Sequence, residues 1–332
     1  MASLRIGVDV GGTNTDGVLL DPTRLQEPTH GILAWHKTPT TADPSSGIED
    51  VIAALFQKAD VDSSTIASVT IGTTHFINAV LEKDQNRLAP VAVLRLCGPF
   101  ALTVSAGIDW PDDLRRLICV YQARLKGGLE VDGNLIGEID EDEIAEHARI
   151  IKAKGIRSIV INGVFSPVDI EHLQEERARE IVLKVYPEAD VVISKEVANL
   201  GFVERENAAI LNASILRFAQ QTIAAFRRAM TGRLNLACPI FLTQNDGTIM
   251  PAHLAARLPI RTFASGSTNS MCGARFLAQS SAGTKEAILV VDIGGTSTDV
   301  GMLLSSGFPR QAAAFTELVG IRMNFSCPDV KR

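Results

Sequence analysis

The sequence predicts an α/β protein in which strands alternate with helices and one acidic, glycine-rich hairpin occurs twice. The hairpin turns are Asp-Val-Gly-Gly-Thr-Asn-Thr-Asp at residues 9–16 and Asp-Ile-Gly-Gly-Thr-Ser-Thr-Asp at residues 292–299. An apolar run of strand character precedes each copy, and a second run follows it. The chain has 332 residues, of which 46% are hydrophobic, so it can bury a large core, and its length suggests roughly two domains.

Composition excludes several classes of partner. The formal net charge of −6 offers no basic field for nucleic acid or an anionic membrane. We find no apolar run with the length of a signal peptide or a membrane-spanning helix. The five cysteines are scattered without a Cys-x-x-Cys pair, which argues against structural zinc and disulfides. We therefore expect a cytoplasmic protein.

The first third of the chain predicts a hairpin, a third strand, a helix and a further strand. The third strand is expected at residues 31–37, the helix at 47–59 and the next strand at 68–72. That strand runs into a turn that opens a helix, where free N–H groups favour an anion or substrate. The candidate residues there are Thr73, Thr74, His75 and Asn78, although a lone histidine is more often structural.

The middle of the chain predicts a long insertion and then a second run of alternating elements. A strand is expected at residues 90–95, and residues 96–137 are expected to be irregular and to shape specificity. The acidic run that begins at Asp140 has the spacing of a capping box and predicts a helix start. The later elements are a strand at 155–162, a helix at 169–186, a strand at 191–194 and a long helix at 203–230.

The last third predicts a return to the first topology. A strand at residues 239–243 ends in a polar turn that contains Asn245 and Asp246, and a helix is expected at 266–278. The second hairpin follows, with a third strand expected near residues 312–318.

The residue types of the repeated turn favour phosphate and a divalent cation. Paired glycines let backbone N–H groups approach an anion, and neighbouring hydroxyl or amide groups add donors. The expected phosphate-binding residues are Gly11, Gly12, Thr13, Asn14, Gly294, Gly295, Thr296 and Ser297. Asp9 and Asp292 would repel phosphate unless a cation lay between them, so we interpret both as ligands of Mg²⁺ or Mn²⁺. One copy alone could be a tight turn, but turn sterics do not require two matched copies.

The doubled turns resemble the phosphate-binding loops of the actin-like ATPase superfamily, which includes sugar kinases, acetate kinase, chaperone ATPases and actin. Within it, the chain closely resembles the hydantoinase A / 5-oxoprolinase family, and the segments that carry this resemblance are residues 6–16, 71–79, 204–205, 211–213, 243–247 and 292–301. The resemblance implies two ribonuclease-H-like lobes that close on ATP and a divalent cation. One departure is Ser-Gly-Ser-Thr-Asn-Ser at residues 265–270, where the family usually has Ser-Gly-Pro.

The resemblance also implies a division of the chain into regions. Residues 1–200 correspond to the family's N-terminal region, and residues 201–285 to a long helix and linking segment that complete the first lobe. Residues 286–332 correspond to the start of a second lobe that is only begun. A hydantoinase B-type subunit or a fused C-terminal domain is the partner that the resemblance implies.

The family's chemistry is the ATP-dependent opening of a cyclic amide such as a hydantoin, 5-oxoproline or a related lactam. Phosphorylation of the amide oxygen activates the ring for water. The catalytic carboxylates would be Asp9 and Asp292 on the cation, with Asp16 and Asp299 as turn-stabilising or water-orienting groups. The substrate side would involve Thr73, Thr74, His75, Asn78, Asn245 and Asp246. Two alternatives stay open: a sugar or carboxylate kinase of the same superfamily, and an inactive or regulatory chain.

Overall fold

The computed structural model describes residues 3–41, 43–100, 103–279, 287–293, 298–306, 309–312, 315–324 and 327–331. The strands are β1 Leu4–Val10, β2 Asn14–Leu20, β3 Ile32–Pro39, β4 Ile66–Thr73, β5 Val91–Leu96, β6 Cys119–Leu125, β7 Ser158–Gly163, β8 Asp190–Ile193, β9 Ile240–Thr243, β10 Ile249–Pro251, β11 Ile288–Ile293, β12 Thr298–Leu303, β13 Thr316–Leu318, β14 Ile321–Met323 and β15 Val330–Lys331. The helices are α1 Pro44–Ala59, α2 His75–Leu81, α3 Asp112–Ile118, α4 Glu141–Ala153, α5 Gln174–Val185, α6 Phe202–Thr231, α7 Ala252–Ala255 and α8 Ser265–Gln279.

The chain forms two compact units. The first consists of Met1–Asn78, Phe218–Ala313 and Ser326–Arg332, and the second of Ala79–Arg217 and Ala314–Phe325. The predicted regions 1–200, 201–285 and 286–332 refer to lobes of a larger fold, and that division stays a prediction.

The first unit is built on a six-stranded mixed sheet with the order β10-β9-β4-β1-β2-β3. The strands β1, β2 and β3 form an antiparallel meander, and β4 and β9 run parallel to β1. Alternate residues of β1 are buried, as expected for a strand that packs one face on a core. That core joins the sheet to α1 and to the C-terminal end of α6, which contributes Phe226 and Met230. Gly17 allows this close packing, because a Cβ there would lie 2.1 Å from Val51 Cγ1.

The second hairpin lies in the same unit and repeats the register of the first. Asp9 is paired with Asp16 across β1 and β2, and Asp292 is paired with Asp299 across β11 and β12. The prediction that a third strand near residues 312–318 extends this hairpin was wrong. The strand β13 pairs with β14 and belongs to the second unit, whereas the strand next to β12 is β15.

The second unit is built on a four-stranded parallel sheet with the order β6-β5-β7-β8, covered by α4 and α5. The predicted helix start is confirmed, with Asp140 as the N-cap, since its carboxylate accepts a hydrogen bond from the N–H of Glu143 at 3.1 Å. The prediction that residues 96–137 are irregular was wrong in part, because this segment contains α3 and the strand β6. As an edge strand, β6 is only partly buried, so it lacks the continuous apolar pattern of a central parallel strand.

The helix predicted to begin at residue 169 begins at Gln174 instead. The Asp169 carboxylate accepts hydrogen bonds from three successive N–H groups, those of His172, Leu173 and Gln174, at 2.7–2.9 Å. These bonds hold the preceding segment as a loop, with Leu173 in the left-handed region at φ 48°. Among the described residues, no helix is both long and apolar enough to cross a membrane.

A buried ion pair joins α6 to the central strand β5 of this unit. Arg95 Nε donates to Glu206 Oε2 at 2.6 Å, Arg95 Nη2 donates to Glu206 Oε1 at 2.5 Å, and neither side chain is exposed to solvent. Asn162 Nδ2 adds a third bond to Glu206 Oε2 at 3.2 Å. Because both charges are fully desolvated, removing one leaves the other uncompensated.

We predict that Glu206→Gln lowers the free energy of unfolding by about 3–5 kcal/mol, because it strands the Arg95 guanidinium in the interior. Urea unfolding followed by circular dichroism measures this change. The double variant Arg95→Met, Glu206→Leu is the control, and it should recover most of the loss by removing both charges. A single variant as stable as the parent protein would show that the pair does not hold α6 on the sheet.

Candidate functional site

The first repeated turn connects β1 to β2 and leaves its central residues open to solvent. The N–H of Gly11 donates to the carbonyl oxygen of Asn14 at 3.0 Å and closes the turn. Gly12 and Thr13 are exposed, while Gly11 and Asn14 are half-buried. The four residues predicted to bind phosphate therefore surround one tight turn whose tip is accessible.

The two aspartates of this hairpin lie side by side on adjacent strands. Asp9 is in register with Asp16, and Asp16 is in register with Lys37 on β3. The Lys37 ammonium lies 3.2 Å from Asp16 Oδ1, with both side chains about half exposed. Lys37 therefore offsets part of the negative charge of Asp16, but an ion pair this exposed contributes little to the free energy of unfolding.

The second repeated turn is described only at its two ends. Asp292, next to the last residue of β11, is in register with Asp299 on β12, just as Asp9 is in register with Asp16. Gly294, Gly295, Thr296 and Ser297, which are also predicted to bind phosphate, lie outside the described residues.

Helix α8 joins the carboxylates of both hairpins. Asn269 Nδ2 donates to Asp9 Oδ1 at 3.3 Å, and Ser270 Oγ donates to Asp292 Oδ2 at 2.5 Å. Ser267 Oγ donates to Asp299 Oδ2, also at 2.5 Å. The first two turns of α8 therefore supply hydrogen-bond donors to three of the four predicted catalytic carboxylates.

Close packing holds α8 in this position. The hydroxyl of Ser265 donates to the carbonyl oxygen of Thr73 at 3.2 Å, at the end of β4. A Cβ on Gly301 would lie 2.6 Å from Met271 Sδ, so glycine is required where β12 meets the helix. On the other side, a Cβ on Gly72 would lie 2.1 Å from Asn269 Nδ2 and 2.5 Å from Asp9 Oδ1. Glycines on both hairpin sheets thus make room for the helix and its polar side chains.

The Asp9 carboxyl has a strongly altered electrostatic environment. Burial raises the pKa of Asp9 above its ordinary value, and the hydrogen bond from Asn269 partly offsets this rise. The neighbouring carboxylates of Asp16 and Asp292 raise the pKa further, while Lys37 lowers it. The surroundings of Asp9 therefore favour a bound proton or a bound cation over a bare carboxylate.

The donor set suits a magnesium ion that shares its ligands with a phosphate. The side chains of Asp9 and Asp292 influence each other electrostatically, which places two carboxylates near one another. Within the described ranges, no three His, Cys, Asp or Glu side chains converge as an all-protein metal site. Mg²⁺ is usually held by one or two carboxylates together with phosphates and waters, so this arrangement fits it.

Two of the four residues predicted at the end of β4, Thr74 and Asn78, lie near the first turn. A Cβ on Gly12 would lie 3.7 Å from Asn78 Nδ2, and the same amide nitrogen is 3.4 Å from Thr74 Oγ1. Thr73 is buried, and its hydroxyl accepts a hydrogen bond from the N–H of His75 at 3.2 Å. His75 is half-buried at the first residue of α2. Asn78 and Thr74 are therefore the members of this group that lie nearest the turn.

The two residues predicted in the turn after β9 make local contacts. Asn245 is buried, with its Nδ2 donating to the carbonyl oxygen of Ile260 at 3.0 Å and its Oδ1 accepting from the N–H of Ala264 at 2.7 Å. Asp246 is exposed and accepts hydrogen bonds from the N–H and hydroxyl of Thr248 at 2.9 and 2.7 Å. Asn245 thus braces the segment that leads into α8, and Asp246 stabilises its own turn.

Sequence reasoning missed the contacts that α8 makes with the carboxylates. The signal was present in the polar run Ser-Gly-Ser-Thr-Asn-Ser at residues 265–270, which had appeared only as a departure from a family pattern. Hydroxyl and amide groups so concentrated in the first two turns of a buried helix indicate partners that need donors.

We predict that Asp9→Asn raises the unfolding temperature of the metal-free protein at neutral pH. The folded-state pKa of Asp9 is raised, so ionised Asp9 costs stability above that pKa, and an amide removes the cost. The advantage should shrink as the pH falls towards the unfolded value of about 3.9. Thermal unfolding in chelator across this pH range measures it.

Asp140→Asn is a control with the opposite sign. The N–H of Glu143 lowers the pKa of Asp140, so its carboxylate stabilises the fold above the unfolded pKa, and the stabilisation is lost as the pH falls. This variant should therefore unfold at a lower temperature than the parent at neutral pH. An Asp9→Asn advantage that does not change with pH would contradict a raised pKa.

Comparison with known proteins identifies relatives along most of the chain. The family model described as hydantoinase/oxoprolinase N-terminal region matches residues 5–186, and the model described as hydantoinase/oxoprolinase matches residues 205–326. The acetophenone carboxylase gamma subunit of Aromatoleum aromaticum is 26% identical over 91% of this chain and 42% of its own length. The caprolactamase subunit alpha of Pseudomonas jessenii is 24% identical over 89% of this chain and 43% of its own length.

Solved structures share the same fold. Nucleotide-free acetone carboxylase superposes with a TM-score of 0.78 at 18% identity, and ATP-dependent caprolactamase from Pseudomonas jessenii with a TM-score of 0.73 at 21% identity. Each comparison covers 98% of this chain and 47% of the other chain, so this chain spans less than half the length of these relatives. The predicted α/β fold is confirmed. The chain belongs to the hydantoinase/oxoprolinase family.

Proposed function

We propose that the protein takes part in the ATP-dependent hydrolysis of a small cyclic amide. The observation that carries the proposal is the pair of matching hairpins whose carboxylates meet donors from one helix, α8. ATP-dependent caprolactamase is a relative that acts on such a ring, as its name states. The substrate, the site residues and the partner subunit are all parts of this proposal.

In this proposal, each hairpin has a defined role. Asp9 and Asp292 hold the cation, while Gly11, Gly12, Thr13 and Asn14 of the first turn and Gly294, Gly295, Thr296 and Ser297 of the second bind the phosphates of ATP. Mg²⁺, when bound, neutralises charge on the transferred phosphoryl group. Asn269 and Ser270 orient the two carboxylates, and Asp16 and Asp299 complete the polar walls of the hairpins. Asn78 and Thr74 lie beside the first turn, where they can contact the phosphate or the substrate.

The reaction balances as three steps. Transfer of the γ-phosphoryl group to the amide oxygen releases ADP and converts a poor electrophile into an activated one. Water then adds to that carbon and the ring C–N bond breaks, which leaves an open-chain acyl phosphate. A second water hydrolyses the acyl phosphate, so that inorganic phosphate leaves and an open-chain amino acid remains. The protein's contribution to such a transfer is mainly positioning and charge neutralisation.

A second candidate is carboxylation of a ketone. The specific observation in its favour is the similarity to the acetophenone carboxylase gamma subunit, at 26% identity over 91% of this chain. In both reactions ATP would activate a carbonyl oxygen, so phosphate-binding hairpins could serve either one. The two differ in whether bicarbonate is consumed. Because the matched relatives are named as subunits, we propose that a further subunit or domain takes part in turnover.

We predict that Mg·ATP binds this chain and that Asp9→Asn abolishes the binding, because the variant removes a charged cation ligand. Isothermal titration of Mg·ATP measures it, with ATP in chelator as the metal-free comparison. Asp50→Asn on the surface of α1 is the matched control and should bind like the parent. Equal binding of Mg·ATP by Asp9→Asn and by the parent would show that Asp9 is not a ligand of the cation.

The same preparation discriminates between the two reactions once the partner subunit is added. ADP release that depends on a lactam and not on bicarbonate supports amide hydrolysis. ADP release that depends on a ketone and bicarbonate together supports carboxylation and contradicts the first proposal.

A further inference from the structure

One face of the first unit's sheet carries a cavity of about 410 Å³ that none of the predicted substrate residues lines. It lies on the face opposite α1 and reaches the carboxylates of the first hairpin. The residues that define it are Gly7, Asp9, Val18, Trp35, Gly72 and Thr243. Its position between Asp9 and an exposed aromatic ring distinguishes it from the remainder of the sheet.

Glycines form the floor of the cavity. Gly7 is in register with Val18 on β2 and with Thr70 on β4, and a Cβ on Gly7 would lie 3.2 Å from Val18 Cγ1. Gly72 stands beside Asp9 on the neighbouring strand. Asn269 and Asp9 occupy the space above Gly72, so the open part of the floor lies at Gly7, where the absent side chain lets a flat ligand approach the backbone.

Trp35 forms one wall and remains exposed over 68% of its surface. Lys58 holds this residue from the other side, since its Nζ donates to the carbonyl oxygen of Trp35 at 2.9 Å and lies 5.4 Å from the ring centroid. A large aromatic side chain kept in place but left exposed is typical of a surface that binds a ligand.

Two polar groups on the lining lack a full set of partners. The hydroxyl oxygen of Thr243 is shielded from solvent and has no hydrogen-bond partner among the described residues. The Asp9 carboxylate receives a long hydrogen bond of 3.3 Å from Asn269 and has two acidic neighbours. A ligand that both donates and accepts hydrogen bonds would satisfy these groups, whereas an apolar one would leave them unpaired.

We propose that this cavity binds the ring of the cyclic amide, with the ring against Trp35 and Val18 and its polar edge towards Thr243 and Asp9. The inference rests on the proposed function, and it assigns the substrate to the sheet face instead of the turn after β9. The volume is near the lower end of the range of about 300–1,000 Å³ for ligand sites, which suits one small ring better than a whole nucleotide. An amide edge offers the N–H and C=O groups that a carboxylate and a hydroxyl require.

Fluorescence of Trp35 tests the proposal without nucleotide or turnover. The chain has two tryptophans, and the other, Trp110, is buried and donates to Asn207 Oδ1 at 2.7 Å. Quenching by acrylamide therefore reports mainly on Trp35. Titration with 2-pyrrolidinone should give saturable protection from quenching, whereas the open-chain N-methylacetamide should protect much less.

Variants of the cavity sharpen the test. Thr243→Val should weaken the lactam affinity about tenfold, because the amide loses a shielded hydrogen bond, whereas Thr243→Ser should retain it. Ile170→Ala, which changes another exposed apolar residue, is the control and should leave the protection unchanged.

Three results would overturn the assignment. One is that 2-pyrrolidinone does not protect Trp35 from quenching by acrylamide. Another is that only Mg·ATP protects it, which would show that the cavity binds the nucleotide. The third is that Trp35 is shielded before any ligand is added, which would mean that another protein surface covers this face. Failure of the proposed function is measured separately, as absent Mg·ATP binding, so lactam protection without ATP binding would leave the cavity assignment standing.

Discussion

The first unit is organised around a half-buried carboxylate, Asp9, that has other carboxylates as neighbours. Burial and the charges of Asp16 and Asp292 raise its pKa, so the folded chain holds an electrostatic cost at this point. The amide of Asn269 on α8 reduces this cost without removing it, because a hydrogen bond does not supply a positive charge. A divalent cation would supply that charge, and proteins commonly tolerate such unfavourable arrangements where function requires them.

The sheet topology explains how distant parts of the sequence reach this point. The first hairpin ends the central strand β1, and the parallel strand β4 brings Gly72 alongside Asp9. The second hairpin lies almost three hundred residues later in the chain, yet α8 precedes it directly and carries donors for both. One helix therefore sets the position of the two repeats relative to each other within the unit.

Local patterns predicted much of the fold. The capping residue Asp140, the meander of β1 to β3 and the long helix α6 all follow from short-range rules of capping, alternation and periodicity. The repeated hairpins indicated phosphate binding, because six matched positions are too many for turn sterics alone, and the family resemblance rested on them together with segments such as residues 71–79 and 243–247. The strand β6 escaped prediction because, at the edge of its sheet, it alternates poorly between buried and exposed positions.

Local sequence patterns could not predict the contacts between distant parts of the chain. No pattern within residues 265–270 indicates which carboxylates their side chains meet. Asn245 looked like a site residue because it follows a strand in a polar turn, but its amide is used by the backbone before α8. The cavity beside Trp35 is lined by residues from β1, β2, β3, β4 and β9, and it is visible only once these strands are paired.

We propose that the two hairpins hold a single cation together. A double-mutant cycle on Asp9 and Asp292, measured as the affinity for Mn·ATP by electron paramagnetic resonance, tests it most directly. If both carboxylates act on the same ion, the variant with both changed to Asn should bind little more weakly than either single variant, giving a large coupling. Losses that simply add in free energy would contradict the claim and show that the two repeats act independently.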